Sequence, residues 1–569
     1  MGAESVIVGP AGADGSKDVI EIAFVLAGAI SAGAWIAGVL DHIREALEDF
    51  EAWRGDARDP DRPRHRVEIS VLAGTSGGGM SAALFAASLV GDPPAGQSWR
   101  SPLHRAWVEE IDIKDLLTLG DLEGLKSLPK GEKGEEFKPR SVLNSEPLDA
   151  IRNKVFSLTP SETVPAYVAP ELHLYVTFTN LRGVGYSLAL QGGEPHQMSS
   201  HADYGHFVLS VEDKTKDSDA IWLDSARPGD GDDAGWTFLG ETALASGAFP
   251  LGLAPRRLER PESAYRNRDW QVPREHYDPE TGACVDQCRL APIVPLENGT
   301  YAFLSVDGGV MNNEPLDLAR RTLSRGGRNP RSPVRARRVV VLIDPFPDPV
   351  DLAPRKPDIF PVFLAMMKAL ISQARFKPED MLLAKDERTA SRFAITPSRH
   401  IGEDKAANPL FSSIFDGFGG FLHRDIREHD YLLGRRNAEK FLKDWFRLAR
   451  DNPVFGGWTG EGIGRRPKPM KDEAGKDIPC LPIIPCRENP ELGRERGPQR
   501  EPRLADLLDR VDQLMPAALE RLKRVLIGTL PIPKTLSRLI WSFIMKGKAR
   551  KAIFETLKAH HARMGDIVQ

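Results

Sequence analysis

Residues 67–89 read Val67-Glu68-Ile69-Ser70-Val71-Leu72-Ala73, then Gly74-Thr75-Ser76-Gly77-Gly78-Gly79, then Met80-Ser81-Ala82-Ala83-Leu84-Phe85-Ala86-Ala87-Ser88-Leu89. The opening run is short and rich in β-branched residues, which predicts a buried strand. The closing run is rich in Ala and Leu, which predicts a buried helix. Between them, Gly74-Thr75-Ser76-Gly77-Gly78 fits the Gly-x-Ser-x-Gly pattern. In that pattern the serine stands on a strained strand-to-helix turn, and small neighbours let the backbone reverse sharply. The following helix aims free N–H groups at the turn, where negative charge develops in acyl transfer. The pentapeptide is common by chance; its strand–turn–helix setting is what makes Ser76 a candidate nucleophile. A Gly-rich turn packing a helix onto a sheet, or a phosphate-binding loop, would also explain the glycines. The P-loop form is excluded, because no Gly-Lys-Ser/Thr follows.

Upstream, Ile20 to Leu26 reads as a first buried strand, Gly28 to Gly33 as a small-residue turn, and Ala34 to Phe50 as a helix. The opening is therefore β-α-β-α, which predicts a parallel sheet with helices on both faces. Ligands of such sheets bind at the carboxyl ends of strands, where Gly28 and Ser76 both fall. Ile22 to Leu40 is apolar except for Ser31 and could be mistaken for a membrane span. The residues before it carry Glu4, Asp14, Asp18 and Glu21 against Lys17, the wrong sign for a signal sequence, and Gly28, Gly33 and Gly38 break the run. The expectation is a soluble cytoplasmic protein, with at most peripheral contact with a membrane.

A chain of 569 residues is long enough for a large core and more than one domain. Its net charge of −4 gives no whole-molecule attraction to nucleic acid. Four cysteines, as Cys284/Cys288 and Cys480/Cys486, are too few for a disulfide scaffold. Their spacing is loose and no histidine is close, so unpaired thiols are expected rather than a zinc site. The chain divides into a Gly-rich tail (1–18), an α/β domain (19–350), a helical extension (351–450), a Pro/Gly/charge-rich linker or loop (451–503) and a C-terminal helical region (504–569).

A serine hydroxyl needs a base. Of the histidines, His42, His65, His104, His400, His423 and His429 among them, none follows a strand end into a loop. Asp307 does: Tyr301 to Val306 reads as a strand leading into Asp307-Gly308-Gly309, which would present a carboxylate at the sheet edge. An ordinary Asp-Gly turn is the plainer explanation.

Four blocks, in order, resemble the patatin-like phospholipase family. Leu26 to Leu40 resembles its glycine-rich oxyanion block, and Gly74 to Gly78 its nucleophile elbow. Ala245-Ser246-Gly247-Ala248-Phe249-Pro250 resembles its Ala-Ser-x-Ala-x-Pro stretch, and Asp307 to Pro315 its Asp-Gly-Gly block. Phe418 to Phe421 with Arg427 to Arg435 is similar to a helical extension of one bacterial branch. The resemblance implies an α/β fold with a patatin-like, parallel-type central sheet, helices on both faces and an α-helical C-terminal extension. It implies a Ser76–Asp307 dyad without histidine, an oxyanion hole from the amides of Gly28, Ala29 and Ile30, and support from Gly74, Thr75, Gly77, Gly78, Gly308 and Gly309. The implied substrates are acyl esters of phospholipids or other lipids, with no metal and no cofactor. One departure stands out. The family's Gly-Gly-Gly-x-Arg-Gly is Gly28-Ala29-Ile30-Ser31-Ala32-Gly33 here. Ile30 is expected to crowd the turn, because a β-branched residue resists positive φ. A non-catalytic lipid- or partner-binding protein on this fold, or a Ser-His-Asp esterase, are the alternatives.

Lys534 to Lys558 carries an apolar stripe (Leu536, Leu539, Ile540, Phe543, Ile544) among basic residues. It is either packed on the body or laid on an anionic lipid surface.

Overall fold

The apolar, β-branched runs become the strands of one sheet, and the Ala/Leu-rich runs cover it. The computed structural model describes residues 18–97, 100–126, 138–188, 194, 196–216, 218–228, 233–268, 270–273, 287–290, 292–294, 299–325, 329–346, 362, 366, 369, 372–374, 389–401, 404–406, 408–415, 417–463, 466–472, 475–485, 502–529 and 553–558. In chain order the main elements are β1 (Val19–Leu26), α1 (Gly33–Gly55), β2 (Arg66–Thr75), α2 (Gly77–Ser88), α3 (Glu146–Phe156), β3 (Val168–Leu188), β4 (His196–Ser210), β5 (Ile221–Asp224), α4 (Ala234–Ser246), β6 (Arg256–Pro261), β7 (Pro292–Ile293), β8 (Thr300–Asp307), α5 (Leu316–Ser324), β9 (Arg338–Ile343), β10 (Arg392–Ile395), α6 (Arg424–Asp444) and α7 (Leu504–Thr529).

The strands form a ten-stranded sheet in the order β10-β9-β1-β2-β3-β8-β6, with β4 and β7 also on β3 and β5 on β4. From β10 to β3 every pair is parallel; β8 and β4 pair with β3 antiparallel. β1 and β2 are buried along almost their whole length, as parallel strands covered on both faces must be. One face is packed by α1, α2 and α4, with Phe24, Leu26, Ile69, Phe85 and Leu239 in its core. The other is packed by α5 through Leu316, Ala319 and Leu323 against Ala23, Val25, Val71 and Leu342.

A third layer lies outside α1. There α6 crosses it where both helices are bare. A Cβ on Gly38 would stand 1.9 Å from the Tyr431 carbonyl oxygen, and one on Gly434 would stand 2.1 Å from that of Trp35. The buried Asp41 carboxylate accepts from the hydroxyls of Ser101 (2.5 Å) and Tyr431 (2.9 Å) across this seam.

The stretch read as a helical extension thus supplies α6, but it also supplies β10, the edge strand of the main sheet. The stretch read as a linker or loop sends Leu481, Ile483 and Ile484 into the main core, and His65 is bonded to the Ile483 carbonyl at 2.8 Å. The run Ile22 to Leu40 is strand, turn and half a helix. Among the described residues no helix is long and apolar enough to cross a membrane. Leu536 to Ile544 lies outside the described residues.

Candidate active site

β2 and β8 run towards each other along the same edge of β3. β4 occupies the opposite edge, pairing with both Thr177 and Phe178. β2 ends with Thr75 opposite Thr177. β8 ends with Asp307 opposite Phe178, the next residue of β3. The two carboxyl ends therefore meet head to head, which brings together two side chains 231 positions apart in the chain: Ser76 Oγ donates to Asp307 Oδ2 at 2.6 Å.

Ser76 stands between β2 and α2 with φ 54° and ψ −129°, a conformation that costs a non-glycine residue about 1–3 kcal/mol. Only glycine fits at two of its neighbours. A Cβ on Gly74 would meet the Gly78 carbonyl oxygen at 2.5 Å, and one on Gly78 would meet the Leu26 and Ala27 carbonyl oxygens at 2.4 Å. The Ser76 amide donates to Ser246 Oγ at 2.7 Å, which fixes the elbow from α4. Below it Thr75 Oγ1 bonds Thr177 Oγ1 (2.5 Å) and the Asn312 carbonyl (2.9 Å).

Asp307 is held at every polar atom. Its amide donates to the Ala248 carbonyl (2.9 Å), its carbonyl accepts from Thr179 Oγ1 (2.8 Å), and its Oδ1 accepts from the Gly309 amide (2.7 Å). The carboxyl is buried, and loss of water pushes its pKa up to about 6, against the opposing pull of the Ser76 hydroxyl and the Gly309 amide. A carboxylate in that range can take a proton near neutral pH far better than one near its usual value of about 4.

The turn after β1 lies against the elbow. A Cβ on Gly77 would stand 3.0 Å from Ala29 Cβ and 3.1 Å from the Ile30 carbonyl oxygen. The amides of Gly28, Ala29 and Ile30 have no protein acceptor among the described residues. Ile30 does adopt positive φ, at 46°. A β-branched residue resists that region, so the turn carries backbone strain at Ile30.

Several of the candidate histidines are engaged elsewhere. Burial lowers His42 and His65 to about 4. His104 faces Glu428 at 3.3 Å, His429 is bonded to Asp430 at 2.9 Å, and His423 caps α6. Among the described residues none is bonded to Ser76 or Asp307, so no Ser-His-Asp triad is formed there. No group of three or more metal-ligating side chains occurs among the described residues, and the buried Cys480 is a free thiol.

A family profile described as "Patatin-like phospholipase" matches residues 24–320. The chain belongs to the patatin-like phospholipase family. This patatin-like protein is 32% identical over 532 residues to the uncharacterized protein y4iI of Sinorhizobium fredii (strain NBRC 101917 / NGR234), over 83% of this chain and 71% of that one. Among solved structures it is similar to VipD from Legionella pneumophila at 10% identity, over 96% of this chain and 85% of that one. The TM-score of that pair is 0.23. The family is one of lipid acyl hydrolases, and the fold that the resemblance implied is the one observed.

Beside the elbow is an apolar cavity of about 60 Å³, lined by Met80, Leu84, Trp107, Ile151, Val155 and Leu244 among others. Met80, one turn into α2, donates its amide to the Ser76 carbonyl at 3.0 Å, so this cavity lies along the helix that starts at the elbow. A larger, polar cavity of about 240 Å³ lies between α6 and α7, lined by Asp112, His423 and Arg510 among others; it touches none of the dyad's partners. Ser246 and Thr179, which hold the elbow and the aspartate, are the site residues that sequence reasoning passed over. Ser246 was visible only as the second letter of the Ala-Ser-x-Ala-x-Pro stretch.

Proposed function

We propose that this protein is a serine hydrolase that cleaves acyl esters of lipids through a Ser76–Asp307 dyad and an acyl-enzyme. Ser76 Oγ attacks the ester carbonyl as its proton passes to Asp307 Oδ2. The carbonyl oxygen takes the negative charge and is met by the amides of Gly28, Ala29 and Ile30. Collapse breaks the ester bond, the alkoxide leaves with the proton from Asp307, and the acyl group stays on Ser76. Asp307 then draws a proton from water, whose oxygen attacks the acyl carbon, and the free fatty acid departs as Ser76 recovers its proton. The cavity beside Met80 is apolar, which suits the first methylenes of the acyl tail. The observation that carries this reading is the 2.6 Å bond from Ser76 to a buried carboxylate whose pKa is raised to about 6.

The test is release of free fatty acid from phospholipid vesicles, followed by mass spectrometry across pH. The base must be ionised, so kcat/KM should rise tenfold per pH unit below about 6 and level above it. A profile flat from pH 4.5 to 8, or no ester cleaved at all, contradicts the proposal.

A lipid hydrolase must also reach a bilayer. Lys534 to Lys558 is proposed as the docking helix, since each basic residue near an anionic surface contributes about 1 kcal/mol. At its end Ile553, Phe554 and Leu557 pack on the body beside α7, which fixes where it would leave the domain. Changing Lys534, Arg538, Lys546, Lys548, Arg550 and Lys551 to Gln should abolish flotation with anionic vesicles; equal flotation of the variant would discard the docking role.

A further inference from the structure

The amides of Gly28, Ala29 and Ile30, which meet no acceptor among the described residues, sit on a turn that holds Ile30 in an unfavourable conformation. On its own side the turn has few ties. Ala27 donates to the Ile343 carbonyl (3.0 Å) and Ala32 to that of Ala29 (2.8 Å). Its other ties come from residues almost four hundred positions away. The Ser31 amide donates to the Gly417 carbonyl at 3.1 Å, the Ser31 hydroxyl donates to the same oxygen, and that hydroxyl accepts from the Gly420 amide at 2.9 Å. Ser31 is buried, so each of these bonds is made in a dry place where a missing partner is expensive.

The segment that meets Ser31 is itself fixed by α6. Before it, the Asp430 carboxylate accepts from the amides of Phe411 (3.1 Å) and Ser412 (2.9 Å). At its end, Arg427 donates to the Gly420 carbonyl (2.9 Å) and to the Val108 carbonyl (3.0 Å). The fit against the turn leaves no slack. A Cβ on Gly420 would stand 2.7 Å from Ser31 Oγ, and one on Gly417 would stand 3.1 Å from Ile30 Cδ1. Phe418, between them, packs its ring edge on Phe249 at 5.9 Å, next to the stretch that carries Ser246.

We infer that Ser31 is a positioning residue, which locks the oxyanion turn to the strap 411–421 and makes the region carrying α6 part of the catalytic site. The inference rests on the hydrolase reading above. Donors that act on the oxyanion are felt in the transition state and hardly in the ground state, so loosening them lowers kcat and leaves KM nearly unchanged.

The experiment uses the full chain and a soluble acyl ester. Ser31→Ala should lower kcat about 10- to 100-fold, with KM within about threefold of the parent. The pH midpoint near 6 should not move, because Asp307 is untouched. Gly420→Ala presses on the same contact from the strap and should give the same signature. The double variant should be little worse than either single one, since both break one coupling. The inference is overturned if folded Ser31→Ala or folded Gly420→Ala keeps kcat within twofold of the parent. It is equally overturned if the loss appears in KM alone, or if the two losses multiply. Ser76→Ala is run alongside: should it retain turnover, the hydrolase reading itself has failed, whereas full turnover by Ser31→Ala beside an inert Ser76→Ala overturns only the role of Ser31.

Discussion

Asp307→Asn should lower turnover by about 10³-fold or more while raising the melting temperature at neutral pH. The two effects share one cause. Removing a positioned general base typically costs 10²–10⁴ in rate, and here the same group serves both acylation and deacylation. The amide keeps the shape of the carboxylate: its oxygen can still accept from the Gly309 amide, and its NH₂ can donate to Ser76 Oγ. What it removes is a buried charge. Asp307 has a pKa of about 6 in the fold, against an ordinary 3.8. The folded chain thus holds that proton more tightly than the unfolded one. Its contribution to stability is complete below about pH 4 and is lost as pH rises through about 6. At pH 7.5 the aspartate is ionised and buried, and the asparagine should be more stable, by about 2–3 kcal/mol. The advantage should vanish by pH 4. Thermal melts of both proteins at the two pH values check this. A variant that melts lower than the parent at pH 7.5, or that keeps its turnover, would remove Asp307 from the role of buried base. No single His→Ala change should reproduce the kinetic loss in a folded protein.

Ser76→Ala should abolish turnover, with a loss of at least about 10⁴-fold, because among the described residues Ser76 supplies the hydroxyl bonded to the carboxylate. Ser76→Gly should be just as inert yet more stable than Ser76→Ala. The two variants lack the same hydroxyl, so the comparison isolates the backbone. At φ 54° and ψ −129° an alanine keeps the strain of a side chain that glycine does not have. The expected gap is about 1 kcal/mol, read as a difference in melting temperature. It is the strain that points Oγ out of the sheet and towards Asp307. Equal melting of the two variants would mean that the elbow is relaxed, and that the serine is placed by its hydrogen bonds alone.

Much of this was readable in the sequence, and the failures have physical causes. β1, the turn, α1, β2, the elbow and α2 fall within a few residues of where periodicity puts them. There each element is buried by its chain neighbours. Of the long strands β3 and β4, only Leu172 to Asn180 and about Gly205 to Val211 carry a strand-like pattern in the sequence. Beyond those points Gly183, Gly185 and a polar run from His196 to His201 erase the alternation, although the backbone pairing continues. β10 was missed because its four residues, Arg392 to Ile395, carry too little pattern to outweigh their surroundings; the neighbouring β9 makes them a strand. In the candidate site, Ser76 and Asp307 stand out in the sequence because each sits at the end of its own strand. That they would face each other follows from β8 running antiparallel to β3, which no local signal carries. Nor could the sequence tell what holds Ile30 at positive φ, since Gly417 and Gly420 come from the far end of the chain.

The central claim is that Ser76 is activated by Asp307 without a histidine. It is tested most directly by reacting the protein with a fluorophosphonate ester and mapping the adduct by peptide mass spectrometry. One adduct is expected, on the peptide that contains Ser76, absent from Asp307→Asn and undiminished in every folded His→Ala variant. An adduct on another residue, or labelling of Ser76 lost in a folded histidine variant and kept in Asp307→Asn, would contradict it.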